Sequence, residues 1–83
     1  EGYVIEPGNT SPIVRLIQLM LGEISAIYDL TAVEETGTYD EETAEAVRDL
    51  QYRNLLPVTG VMDKATWNAL ARAYGLYLMY AEP

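Results

Sequence analysis

The side chains best equipped for chemistry in this sequence are carboxylates. Glu34, Glu35, Asp40, Glu41, Glu42 and Glu45 crowd a stretch of twelve positions, and two carboxylates flanking a sugar can hydrolyse a glycosidic bond where a cleft holds both. Nothing in the pattern builds that cleft. The acids fall on turns and outward helix faces, and a chain of 83 residues is mostly surface. Acids in the first turn after Asp40 complement a helix dipole, each by about 0.3–1 kcal/mol, and the remainder form a solvated face. There is no Cys and no His, which excludes disulfides, thiolate or imidazole metal sites, and Ser-His-Asp or Cys-His catalysis. No glycine-rich phosphate loop is present. The expectation is a non-enzyme without metal or cofactor.

Thirteen acids against five bases give a formal charge of -8. Nucleic-acid binding depends on neutralising phosphates, and anionic membrane surfaces repel the same charge, so neither is an expected partner. No run approaches the roughly 20 apolar residues of a transmembrane helix, and no signal peptide is visible. The length fits one domain with a single small core. Because the sequence opens on Glu1-Gly2 without Met and closes on Glu82-Pro83, it reads as a domain excised from a larger protein.

The elements are organised by a motif written twice. Thr36-Gly37-Thr38-Tyr39-Asp40-Glu41-Glu42-Thr43-Ala44-Glu45-Ala46-Val47 returns 23 positions later as Thr59-Gly60-Val61-Met62-Asp63-Lys64-Ala65-Thr66-Trp67-Asn68-Ala69-Leu70. Each copy reads as a tight turn that starts a helix. Gly37 and Gly60 supply positive φ, Asp40 and Asp63 stand where an N-cap belongs, and Thr43 and Thr66 resemble the back half of a capping box that closes only weakly. Before the first copy, Tyr3 to Gly8 is an extended lead ending in a Pro-Gly turn signal. Asn9, Thr10 or Ser11 caps a first helix with Pro12 at its first position. That helix is expected over about 12–28, with Ile13, Leu16, Ile17, Met20, Leu21, Ile24, Ile27 and Tyr28 forming a face wide enough to be covered from two sides. A loop follows, with room for a short strand at 30–33. The second helix is expected over 41–54 with Thr43, Ala46, Val47, Leu50 and Gln51 inward, and Pro57 marks that it has stopped. The third is expected over 64–77 with Thr66, Ala69, Leu70, Ala73 and Tyr77 on one side and Trp67 and Tyr74 at its margin. The fold class is therefore all-α, a compact three-helix bundle.

A second echo links the first two helices. Val14-Arg15-Leu16-Ile17-Gln18 parallels Val47-Arg48-Asp49-Leu50-Gln51, each placing a glutamine on or beside the apolar face. A buried amide without partners costs roughly 1–3 kcal/mol, so Gln18 and Gln51 are expected to bind backbone groups of adjacent loops.

Three ordered segments carry a family resemblance: Val14-x-x-Ile17-Gln18-x-x-Leu21, then Gly37-x-Tyr39-x-x-x-Thr43-x-x-Ala46-Val47-x-x-Leu50-Gln51, then Leu56-x-x-Thr59-Gly60-Val61-x-Asp63-x-x-Thr66-Trp67-x-x-Leu70. Over about residues 7 to 75 the chain resembles the peptidoglycan-binding domain type 1 family, three-helix modules attached to bacterial cell-wall hydrolases and surface proteins. It departs from the family in having no Phe, with Tyr39 and Leu50 where Phe is frequent, and in a longer loop before Gly37.

The resemblance implies a non-catalytic module that binds peptidoglycan, sits in the wall or outside the cell, and holds a covalently linked neighbouring domain there. Stacking on sugar faces, amide pairing and charge pairing with stem-peptide groups are the available contacts. Candidate ligand residues are Tyr39, Tyr52, Arg53, Asn54, Trp67 and Asn68, although Tyr39 is more simply a core residue whose hydroxyl reaches the surface. The alternative is a protein-interaction or inhibitory prodomain-like module without glycan affinity. The apolar stretch Tyr74-Gly75-Leu76-Tyr77-Leu78-Met79-Tyr80 supports that alternative, unless it folds back on the first helix and Tyr3.

Overall fold

The computed structural model describes residues 5–81, with side chains through residue 79. Three helices are present: α1 (Pro12–Ile24), α2 (Glu41–Arg53) and α3 (Lys64–Ala81). Of the lead, Tyr3 and Val4 lie outside the described residues. Ser11 is the N-cap of α1, its side chain accepting from the Val14 N–H, and Pro12 begins the helix as its missing N–H allows.

α1 stops at Ile24, four residues short of the expected end. There Ala26 N–H bonds to Glu23 and Ile27 N–H to Ile24, the tighter winding that closes a helix, and the Ser25 hydroxyl donates to the Gly22 carbonyl. The tightened turn carries Tyr28, Leu30 and Val33 onto the core. Leu30 to Val33 form no strand. That segment is instead held by Asp49 of α2, whose carboxylate accepts from both the N–H and the hydroxyl of Thr31 at 2.9 and 2.8 Å. Ile13, Leu16 and Ile27 are exposed, so the apolar face of α1 is wider than the neighbours that cover it.

The core draws Val14, Ile17, Met20, Leu21 and Ile24 from α1, Ala44, Ala46, Val47 and Leu50 from α2, Ala69, Leu70 and Ala73 from α3, and Tyr39 and Met62 from the turns. Both turns contain a glycine at positive φ, Gly37 at 85° and Gly60 at 79°, a region closed to most L-residues. Asp40 and Asp63 accept the backbone N–H of Thr43 and Thr66, each at 2.9 Å.

Each turn is gripped by a buried glutamine. Gln18 Oε1 accepts the Gly37 N–H at 2.8 Å, while its Nε2 donates to the Thr38 carbonyl and the Thr43 hydroxyl, both at 2.9 Å. Gln51 repeats the scheme one unit later. Its Oε1 accepts the Thr59 and Gly60 N–H at 2.9 and 3.0 Å, and Nε2 donates to the Val61 carbonyl at 3.0 Å and the Thr66 hydroxyl at 2.9 Å. The threonines thus act differently from a capping box. Thr43 Oγ1 donates to the Asp40 carboxylate at 2.7 Å while accepting from Gln18, because a hydroxyl can do both at once. The Tyr39 hydroxyl links the two units by donating to the Gly60 carbonyl at 2.7 Å.

α2 ends in a Schellman arrangement, with Leu56 N–H on the Gln51 carbonyl and Leu55 N–H on the Tyr52 carbonyl. The left-handed position at its centre is held by Leu55, with φ 60°, where glycine is usual. α3 runs four residues beyond the expected Tyr77 and absorbs the whole apolar stretch into the helix. Tyr74 and Tyr77 stack at 6.0 Å and both pack on the core, whereas Leu76, Leu78 and Met79 are exposed.

Two stability measurements follow from these ties. Gln51→Leu leaves the Thr59 and Gly60 N–H groups without their acceptor and should cost about 2–4 kcal/mol in a urea melt; a change under 0.5 kcal/mol would mean the amide holds nothing. Leu55→Gly removes the left-handed strain of an exposed side chain and should raise stability by about 0.5–1 kcal/mol, whereas a lower melting point would show the leucine packs more than its exposure indicates.

Candidate functional site

Two concave surfaces stand out among the described residues. The first lies where α3 begins. Met62 is pinned by antiparallel backbone bonds to Ile5, Ile5 N–H to Met62 O at 3.0 Å and the reverse at 2.8 Å, and Ile13 at the start of α1 faces the same space. Asp63, Lys64, Trp67 and Asn68 supply the opposite wall, enclosing about 430 Å³. The floor is apolar and the rim holds a carboxylate, an amine and an amide. Trp67 is half-buried against the core, so one part of its indole is fixed while another lines the groove, a posture suited to stacking.

The second groove lies beyond the far end of α1, lined by Tyr28, Tyr52, Arg53, Leu55, Leu56 and Val58. The first groove takes Ile13 from the start of α1 and the second takes Tyr28 from beyond its end, and the two share no residue. Tyr52 stands 74% exposed. Arg53 lies 3.9 Å from Asp29, beyond hydrogen-bond reach.

The six candidate ligand residues therefore divide. Trp67 and Asn68 share the first groove and Tyr52 and Arg53 the second. Asn54 lines neither groove and caps α2, one amide proton donating to the Leu50 carbonyl at 2.9 Å. Tyr39 is 1% exposed. Its hydroxyl does not reach the surface, because Gly60 lies within hydrogen-bond distance inside the fold and burial drives the phenol well above its ordinary titration range. Tyr39 is thus a tie between the turns and offers nothing to a ligand. Ile5, Ile13, Met62 and Lys64 are not ligand candidates from sequence, since no local periodicity joins the lead, α1 and the second turn. Leu55-Leu56-Pro57-Val58 did carry a signal, an apolar run directly after a helix stop.

Among the described residues, no cluster of acids could hold a metal ion and no helix is long and apolar enough to cross a membrane. Arg48 ties Glu41 and Glu45 at 2.7 and 3.1 Å, so part of the acid run is paired on the surface of α2.

The profile of the putative peptidoglycan binding domain family matches residues 10–70, spanning α1, both turns, α2 and the first turns of α3. The chain belongs to that family. No curated protein sequence matches it. Among solved structures it is similar to the crystal structure of the SleB N-terminal domain, with 24% identity, a TM-score of 0.74, and coverage of 89% of this chain and 96% of that one. The likeness shows the three-helix fold. Family membership makes the chain a peptidoglycan-binding module of a cell-wall or extracellular setting, and a binding rather than a catalytic domain.

Within this peptidoglycan-binding fold the caps carry a pH dependence. Hydrogen bonds from the hydroxyl and then the N–H of Thr43 hold the Asp40 carboxyl below its usual range, and Thr66 does the same for Asp63. A carboxyl whose folded value lies below its unfolded one, about 4, contributes stability above that pH and loses it as pH falls through the folded value. Asparagine keeps the cap but does not titrate. The stability gap between the protein and an Asp40→Asn/Asp63→Asn variant should therefore narrow as the pH falls below about 4; a gap constant with pH would show that the caps carry no titrating contribution.

Proposed function

We propose that the groove at the start of α3 is the principal peptidoglycan contact and that the module holds a covalently linked domain, a hydrolase or surface protein, against the wall. Peptidoglycan offers sugar faces, N-acetyl groups and peptide amides. The observation that carries this reading is the juxtaposition of a half-buried Trp67 with Asp63, Lys64 and Asn68 over an apolar floor of Ile5, Ile13 and Met62. Trp67 stacks on an apolar sugar face, Asn68 pairs with an N-acetyl amide, and Lys64 meets a carboxylate. The -8 charge opposes nucleic acids and anionic membrane surfaces as partners, and it disfavours anionic wall polymers for the same reason.

The module needs no reaction to serve this role. A single contact of this size is weak, and retention comes from many equivalent sites on one polymer. Sedimentation with purified sacculi tests it. The domain should pellet at low and moderate salt, and Trp67→Leu with Asn68→Ala should reduce the bound fraction about five- to tenfold while leaving the helical circular-dichroism spectrum intact. Wild-type protein remaining in the supernatant would remove wall binding, and unchanged retention of the double variant would remove this groove.

A further inference from the structure

The second groove shows two features that folding alone does not require. Leu55 occupies a left-handed backbone position, φ 60°, that glycine fills without strain, and its side chain is 93% exposed. A large apolar side chain held under strain in water stabilises nothing in the isolated domain. Beside it, Tyr52 and Val58 are also exposed, so the apolar surface is continuous around the turn.

The second feature is charge. Only five residues of the chain are basic. Arg48 is committed to Glu41 and Glu45, whereas Arg53 stands beside the apolar turn with its nearest acid, the almost fully exposed Asp29, at 3.9 Å. Among the described residues the Arg53 side chain donates no hydrogen bond. Its planar fork of donors is therefore available to take a carboxylate in bidentate fashion. The strongly acidic remainder of the surface repels polyanions, which leaves a single carboxylate on an otherwise apolar ligand as the complementary shape and charge.

We infer that the groove formed by Tyr28, Tyr52, Arg53, Leu55 and Val58 binds the free carboxylate end of a wall stem peptide. This rests on the wall-binding reading above. Arg53 pairs with the terminal carboxylate, and Leu55, Val58 and the Tyr52 ring cover the methyl groups behind it. Sharing no residue with the groove at the start of α3, this site can be filled at the same time, so glycan and peptide are grasped together and the second contact is made at high effective concentration.

Two substrates separate the two sites: intact sacculi, and glycan strands from which an amidase has removed the stem peptides. Arg53→Gln and Leu55→Gly should each lower retention on intact sacculi at least fivefold and match wild type on the stripped strands. Leu55→Gly is the decisive variant, since it should melt no lower than wild type, so its loss of binding cannot come from misfolding. In an NMR titration, N-acetyl-D-alanyl-D-alanine should shift the amides of Arg53, Leu55 and Val58, and its C-terminal amide should bind at least tenfold more weakly. Equal retention of the variants on intact sacculi, equal loss on stripped strands, or equal binding of acid and amide would each overturn the inference. So would concentration-dependent self-association abolished by Leu55→Gly, which would give the groove to a second copy of the chain. Wild-type protein that pellets while the peptide shifts nothing refutes the second site alone; wild-type protein that pellets with neither substrate refutes both readings.

Discussion

A primary amide in a dry place is the constraint on which this fold depends. Gln18 and Gln51 are both fully buried, and each has its oxygen and both amide protons engaged by one turn-helix corner. Leaving either amide unpaired would cost as much as a sizeable part of a small domain's net stability. The glutamine therefore selects one conformation of the turn, the turn sets where Asp40 or Asp63 caps the helix, and the cap sets the helix's rotation. Whatever α2 and α3 present to solvent follows from that sequence of dependencies.

The same device used twice yields two different surfaces, because its neighbours differ. At the first corner the space beside Gly37 is open, and Tyr39 turns inward to reach Gly60. At the second, the side chain of Arg48 lies over Gly60, and the position equivalent to Tyr39 is Met62, which is strapped to Ile5 by two backbone bonds. The lead segment thereby contributes a wall to the groove at α3. A duplicated structural unit has acquired one corner that serves mainly as an internal tie and one that faces a ligand-sized hollow.

Much of this was legible in the sequence because it is local. The paired Thr-Gly motifs, the Asp caps and the Val-Arg-x-aliphatic-Gln echo each act over a few residues, and the apolar spacing of α2 corresponds to the face that is buried. The failures are tertiary. The end of α1 at Ile24 goes with the packing of Tyr28 and Leu30 on the core, and nothing near Asp49 in the chain reveals that it fastens Thr31, 18 residues away in the long loop. Sequence alone puts the Tyr39 hydroxyl at the surface, whereas it donates to a carbonyl 21 residues away that nothing near it in the chain reveals. The groove at the start of α3 was half visible, through Trp67 and Asn68, and half hidden, because Ile5 and Ile13 arrive from another part of the chain. Leu55 is the instructive case: its apolar character was plain, but its left-handed backbone is evident only from the structure.

Membership of the peptidoglycan-binding family and the proposed contacts fit one design, in which rigid corners fix α2 and α3 so that weak contacts can be repeated along a polymer. The most direct test of its central claim is native-state hydrogen exchange at the amides of Gly37 and Gly60, the protons accepted by Gln18 and Gln51. If the glutamines lock both corners, these loop amides exchange only through global unfolding, with protection equal to that of Val47 and Leu50 in the core. Exchange at the rate of an open surface loop, while Val47 and Leu50 stay protected, would contradict the account.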